Sequence, residues 1–424
     1  MVPLVACLLI AVLLTRGGGQ PMDRKGDALS LSSSAAPVLP IIDITPLRDL
    51  SLGPGSPFYM QMLHTLRQID EAMQTFGCFI ATGHDLEHKW EPALDAARQL
   101  FALPPAALAD VAITRTGVFG RGFLEKGRES GVAAKHYELK EGYSYGHPRA
   151  PATATNLLEQ RNIWPEGLPE STISTFHALF LECLRVGKLV GGALASAPGG
   201  HALDPRALLG GDSISLMRVF HYFSAHDVPG AVHAGRGADE AKETEESGAS
   251  VTAAAESRGR NVTVLGSSPH TDWGFLTVIL QDDVGGLQFY SHSAGAWLDV
   301  PVVRRGLVIN GGDFLRVASG GKFVSPIHRV LSPAAPGAER HSFVFFLYPN
   351  YTSAVPQIHN QAVLAQRGSG ADLTYNTLEV ATTGETAAAK TFSAGGVEKT
   401  FGDYIVEKWK GVEVQEEGPV ADAA

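Results

Sequence analysis

The sequence predicts an α+β chain in which helices come first and an antiparallel double sheet follows. Three observations carry this expectation. Helical periodicity dominates before about residue 210. From Ser213 onward, short β-branched and aromatic runs recur at regular intervals. Turn signals such as Val284-Gly285-Gly286 and Ser319-Gly320-Gly321 separate those runs.

Along the chain, Leu4 to Leu14 is an apolar run too short for a bilayer, which needs ~20 residues. It is similar to a signal-peptide core, but no Lys or Arg precedes it. With Gly17-Gly18-Gly19 and Ser32-Ser33-Ser34, residues 1–37 read as a disordered leader or targeting segment. A helical and strand region, 38–209, follows. Val38 to Ile44 is its first strand, closed by Pro46, and Cys78 to Thr82 its second. Phe58 to Phe76 places Met62, Leu66, Ile69 and Met73 at spacings of three and four, which makes one face of a helix. Glu91 to Leu103 is another helix, stopped by Pro104-Pro105, and a long one runs from Ser171 toward Leu194.

The third region, 210–424, carries the strands. They are expected at Ile214 to Tyr222, Phe275 to Leu280, Leu287 to Tyr290, Leu307 to Asn310, Phe314 to Val317, His328 to Leu331 and Ser342 to Leu347. An Ala/Gly/Glu/Ser-rich insert, 224–260, cannot sustain a core and reads as a flexible excursion beside the barrel mouth. Near the end, Phe401, Tyr404, Ile405 and Trp409 share one face of an amphipathic helix.

Composition narrows the function. With 34 basic against 44 acidic residues the chain carries −10, which argues against nucleic acid or an anionic membrane as partner. Three cysteines, far apart and without CxxC spacing, make neither a disulfide framework nor a cysteine zinc site. A reduced compartment follows, so the expected location is cytoplasmic, with secretory or organellar targeting left open by the N-terminal apolar run. Oligomeric state leaves no trace in the sequence.

The chemistry gathers around "PHTDWGFLTVILQD", residues 269–282. His270 and Asp272 stand two apart at the mouth of an apolar strand, so they leave one face together. "SPIHRVLSP" supplies a third donor, His328, 56 residues beyond Asp272 (328 − 272). Two imidazoles and one carboxylate suit Fe(II) and leave coordination positions open. Further on, Arg340 and Ser342 share a strand face with Val344 and Phe346. A guanidinium beside a hydroxyl on an apolar strand suits a buried carboxylate. Zn²⁺ also binds such a ligand set, although no Glu stands near His270 as a hydrolase base. A non-catalytic binding module is the remaining alternative.

Taken in order, these pieces resemble the 2-oxoglutarate- and Fe(II)-dependent dioxygenases related to isopenicillin N synthase. "PIIDITPL" and "GCFIATGH" resemble the N-terminal part of that family, and "LKEGYSYG" and "NIWP" its middle. "GGLQFY", "WLDVP", "LVINGGDFLRVASGGKFVSPIHRV" and "FGDYIVEKW" resemble its catalytic barrel and closing helix. The resemblance implies a double-stranded β-helix (jelly-roll) core flanked by N-terminal and C-terminal helices. It implies His270, Asp272 and His328 as iron ligands. Arg340 and Ser342 would grip the distal carboxylate of 2-oxoglutarate, with Tyr222 as a further cosubstrate contact. In place of the family's Asn-x-Tyr-Pro this chain has Phe220-His221-Tyr222-Phe223, so only the tyrosine is kept.

The implied reaction oxidises a small organic metabolite, by hydroxylation or desaturation, with release of succinate and CO2. Fe(II), 2-oxoglutarate and O2 are its cofactor and cosubstrates, with ascorbate as a stimulant. The alternative on the same scaffold is an Fe(II) oxidase that consumes no 2-oxoglutarate and closes a ring. Among other polar residues, Arg218, Asn310 and Asp313 read as turn and inter-strand hydrogen-bonding positions. His221 has the parity that faces away from the pocket, and His84, His136 and His341 read as ordinary polar residues. Phe123, Tyr143 and Tyr145 are expected to line the substrate pocket.

Overall fold

The eight-stranded sheet at the centre is built on β10 (Leu276–Gln281), whose apolar residues bury both faces. β13 (Leu307–Gly311) flanks β10 on one side and β15 (Glu339–Leu347) on the other, both antiparallel. Outward from β13 come β2 (Cys78–Thr82) and, parallel to it, β1 (Ile41–Asp43). Outward from β15 come β6 (Leu216–Phe223), β5 (Lys140–Gly146) and β3 (Gly122–Leu124). A four-stranded sheet holds β12 (Ala296–Asp299), β11 (Leu287–Ser291), β14 (His328–Val330) and β9 (Ser267–His270), in that order. β4 (His136–Glu138), β8 (Val262–Leu265) and β7 (Ala231–His233) form a small parallel sheet. The structure is a computed structural model that describes residues 38–424, apart from 131–135, 150–153, 198–202, 211–213, 229–230, 234–261, 293, 355–399 and 415–424.

Strand period two sorts the side chains into two cores. Ile279, Phe220, Tyr222, Leu287, Phe289 and Val330 come from both larger sheets and pack together between them. On the other face, Val278, Leu280, Phe343 and Phe345 meet the helices. Helix Tyr59–Thr75 buries Met62, Leu66, Ile69 and Met73, the face expected from their spacing. The long helix Glu170–Ser196 lays Phe176 and Phe180 on the sheet, and Phe180 meets the ring of Phe345 edge-on at 5.0 Å. Truncating such a buried ring to Ala costs about 3–5 kcal/mol. The result is the expected α+β jelly-roll, padded with helices on one face. Among the described residues no helix is long and apolar enough to cross a membrane.

Several expectations are corrected. Residues Phe314 to Val317 lie not in a strand but in helix Asp313–Ala318. Four alternating residues fit one helical turn as well as a short strand. Here the Asp313 and Phe314 amides donate to the Asp272 and Gly274 carbonyls, which starts the turn. His270 and Asp272 are not the mouth of β10. His270 ends β9 in the smaller sheet, and Asp272 lies in the segment that crosses to β10 in the larger one. The expected insert begins with structure: Ala225–Asp227 is a 3-10 turn and Ala231–His233 is β7. Its remainder, like the leader, lies outside the described residues. β5 is a further strand, unmarked by apolar alternation because of its Lys, Glu and Gly residues.

Candidate active site

β9 and β14 are neighbours in the smaller sheet, with His270 directly opposite His328. The crossing segment brings Asp272 up against both. Asp272 Oδ1 lies 3.8 Å from His270 Nε2 and 3.7 Å from His328 Nε2. The three ligand atoms fall within 4.8 Å of one another. The imidazole rings are tilted by 50°, so their in-plane lone pairs can converge on one point.

What fixes these atoms lies on their far sides. His270 Nδ1 is 2.7 Å from the Ser268 carbonyl, and His328 Nδ1 is 3.1 Å from the Pro326 carbonyl. A carbonyl only accepts, so both Nδ1 atoms carry the proton and both Nε2 atoms present a lone pair. Burial and the neighbouring His270 ring pull His328 down to about 4, which keeps it neutral. Asp272 Oδ2 accepts from Thr277 Oγ1 at 2.5 Å and Asn310 Nδ2 at 2.6 Å, leaving Oδ1 to the histidines. Asn310 therefore does more than the inter-strand role expected of it. Thr277 carries no sign of this role in the sequence, because Asp272 becomes its partner only once the crossing segment folds beside β10.

On β15, the strand beside β10, Arg340 is 1% exposed. Its Nη2 donates to Gln281 Oε1 at 2.8 Å, while Nε and Nη1 are buried with no partner. The guanidinium lies 4.6 Å over the Tyr222 ring. Ser342 Oγ is 3.4 Å from the Tyr222 hydroxyl, so the expected trio stands together, with Gln281 added. Buried donors left unpaired are costly and call for an acceptor. Leftover guanidinium donors of this kind suit an anionic acceptor such as a carboxylate.

One expectation fails and another holds. Tyr143 and Tyr145 do not line this space; they pack on Trp164 and Phe176 in the helix-side core. Phe123, opposite Tyr143 in register, goes with them. His221 does face away from the pocket, where it pairs with Glu141 and stacks on His341.

Comparison with known proteins decides the family. A family model described as the 2OG-Fe(II) oxygenase superfamily matches residues 252–349. A second, the non-haem dioxygenase in morphine synthesis N-terminal family, matches residues 39–167. The chain belongs to the 2OG-Fe(II) oxygenase superfamily. Among curated relatives of this oxygenase, homoarginine-6-hydroxylase of Glycine max is 28% identical over 75% of the chain and 87% of the relative. The 2-oxoglutarate-dependent dioxygenase citB of Monascus ruber is 29% identical over 76% and 88%. The solved structure of a full-length Neurospora crassa protein in complex with alpha-KG has the same fold, with TM-score 0.60 and 22% identity over 88% of this chain and 96% of that one. The protein is an Fe(II)- and 2-oxoglutarate-dependent dioxygenase of the isopenicillin N synthase-like group, acting on a small organic molecule. The ring-closing oxidase alternative is not favoured.

Proposed function

We propose that His270, Asp272 and His328 hold the Fe(II), and that Arg340 with Ser342 and Tyr222 holds the distal carboxylate of 2-oxoglutarate. The observation that carries this reading is the pattern of satisfied and unsatisfied atoms. Every polar atom of the three ligands is tied down except the ones that face each other. At the clamp, two guanidinium nitrogens are left over.

When bound, Fe(II) supplies the redox chemistry that couples decarboxylation of 2-oxoglutarate to oxidation of the substrate, releasing succinate and CO2. The residues do the rest. Asp272 offsets one of the two metal charges, and the neutral imidazoles leave open positions. Thr277 and Asn310 stop the carboxylate from rotating. Arg340 orients the cosubstrate by its far end, and Val344, Ile279 and Phe220 keep that end dry. Homoarginine-6-hydroxylase and citB, named above, support a metabolite as the oxidised partner.

Anaerobic titration of the Fe(II) protein with 2-oxoglutarate, followed by the metal-to-ligand absorption band, tests the reading. The band should appear in the wild type and require far more 2-oxoglutarate in Arg340→Leu. A wild type without the band, or a variant with unchanged affinity, contradicts it.

A further inference from the structure

The inner face of β6 carries Tyr222 and Phe220 toward the clamp, then Arg218 farther along. Arg218 Nη1 contacts Glu129, and its guanidinium lies 4.4 Å over the ring of Trp409 from the C-terminal helix Phe401–Val414. Its Nε is buried and has no partner. Directly opposite in register on β5 is Ser144, 1% exposed, whose Oγ is also unpartnered.

A second arginine completes the group. Arg121, just before β3, is 2% exposed and gives Nη1 to the Gly120 carbonyl and Nη2 to the Leu158 carbonyl. Its Nε has no partner, and among the described residues no carboxylate pairs with it. The Arg121 guanidinium lies against Gly146, two residues along β5 from Ser144, and Arg218 shares the inner face of the large sheet with Thr277, which holds Asp272.

Charge counting says what belongs there. Arg121, Arg218 and Lys140 are the buried cations of this wall. Glu129 and Glu138 are its carboxylates, with Lys140 3.0 Å from Glu129 and 2.7 Å from Glu138. Lys140 and Arg218 thus have carboxylate partners, whereas Arg121 pairs with none among the described residues. Burial lowers Arg121 only to about 10, so it remains charged at neutral pH. An unpaired buried charge is expensive, and a bound monoanion offsets it.

We infer that Arg121, Arg218 and Ser144 form a carboxylate subsite, and that the small molecule oxidised by this enzyme is an organic acid. The inference rests on the site reading above, since the subsite matters only if Asp272 marks the metal. The cosubstrate does not fill it, because Arg340 lies at the other end of the sheet face.

The test is calorimetric binding to the anaerobic Fe(II)/2-oxoglutarate protein, using aliphatic and aryl-substituted monocarboxylates matched with their primary amides. At least one acid should bind tenfold or more tightly than its amide. That preference should fall at least tenfold in Arg218→Met and in Arg121→Met, and Arg121→Lys should keep part of it. If Arg121→Met does not fold, Arg218→Met and Ser144→Ala carry the comparison alone. Acids binding no better than amides across the set, or an acid preference unchanged in Arg218→Met, overturns the inference. The absorption band recorded on the same samples separates the two readings. A band without acid preference sinks only the subsite; a missing band sinks the metal and clamp assignment.

Discussion

Two groups of two histidines and a carboxylate occur among the described residues, one on each face of the barrel wall. On the inside, the His270 and His328 rings are tilted by 50° with centroids 4.2 Å apart. On the outside, His221 and His341 lie 4.5 Å apart at only 10°, with Glu339 beside them. Donor lone pairs lie in the ring plane, so two parallel stacked rings cannot aim at one ion, whereas two tilted rings can. His221 Nδ1 is moreover engaged by Glu141 at 2.8 Å, and Glu339 is exposed. Burial and the facing His221 hold His341 neutral, down at about 3. Composition and proximity are the same in both groups. Orientation, set by what holds the far nitrogen, separates a chelating pair from a stacked one.

The largest effect should come from the inner group itself. His270→Ala, Asp272→Ala or His328→Ala each removes a ligand with no spare donor in the group. The several kcal/mol that a bound metal contributes then disappears, a loss of at least ~10³-fold in turnover. Metal-quantified, folded protein that still turns over would break the comparison.

Next is Arg340→Leu. Removing one partner of a buried charge pair costs about 2–5 kcal/mol, which is roughly 30- to 5000-fold weaker 2-oxoglutarate binding. Iron should stay. Arg340→Lys should recover only part, because an ammonium cannot make the two-pronged contact. Binding curves for the three proteins, read from the anaerobic band, rank them.

Asn310→Leu sharpens the argument about far-side support. It frees Asp272 Oδ2 from one of its two donors without touching a ligand. A tenfold to hundredfold weaker metal affinity is the order expected from losing such a partner. Competition against a fluorescent chelator measures it, and wild-type affinity in the variant would show that the hydrogen bond is incidental.

Much of this was legible in the sequence, for a definite reason. The ligand residues His270, Asp272 and His328 stand out by type, and Arg340-x-Ser342 by strand parity on an apolar run. The helix Tyr59–Thr75 announced itself because four spaced apolar residues repeat a single face. What supports the ligands did not. Thr277, Asn310 and Gln281 act across strands β10, β13 and β15, and their partners are neighbours only after the sheet has closed. Tyr143 and Tyr145 were misassigned because parity within β5 was unknown without its pairing to β6. The turn at Gly312 was equally hidden: a Cβ there would sit 2.1 Å from the Gly274 carbonyl oxygen, a contact between two distant stretches of chain.

The smallest expected effect is on the outer pair, and it frames the most direct test of the account. Iron content per chain would be measured after anaerobic loading for the wild type, Asp272→Ala and His341→Phe, each checked for folding by its thermal transition. The account predicts one Fe(II) in the wild type, essentially none in Asp272→Ala, and an undiminished one in His341→Phe. Iron retained in Asp272→Ala, or lost with His341, would contradict it.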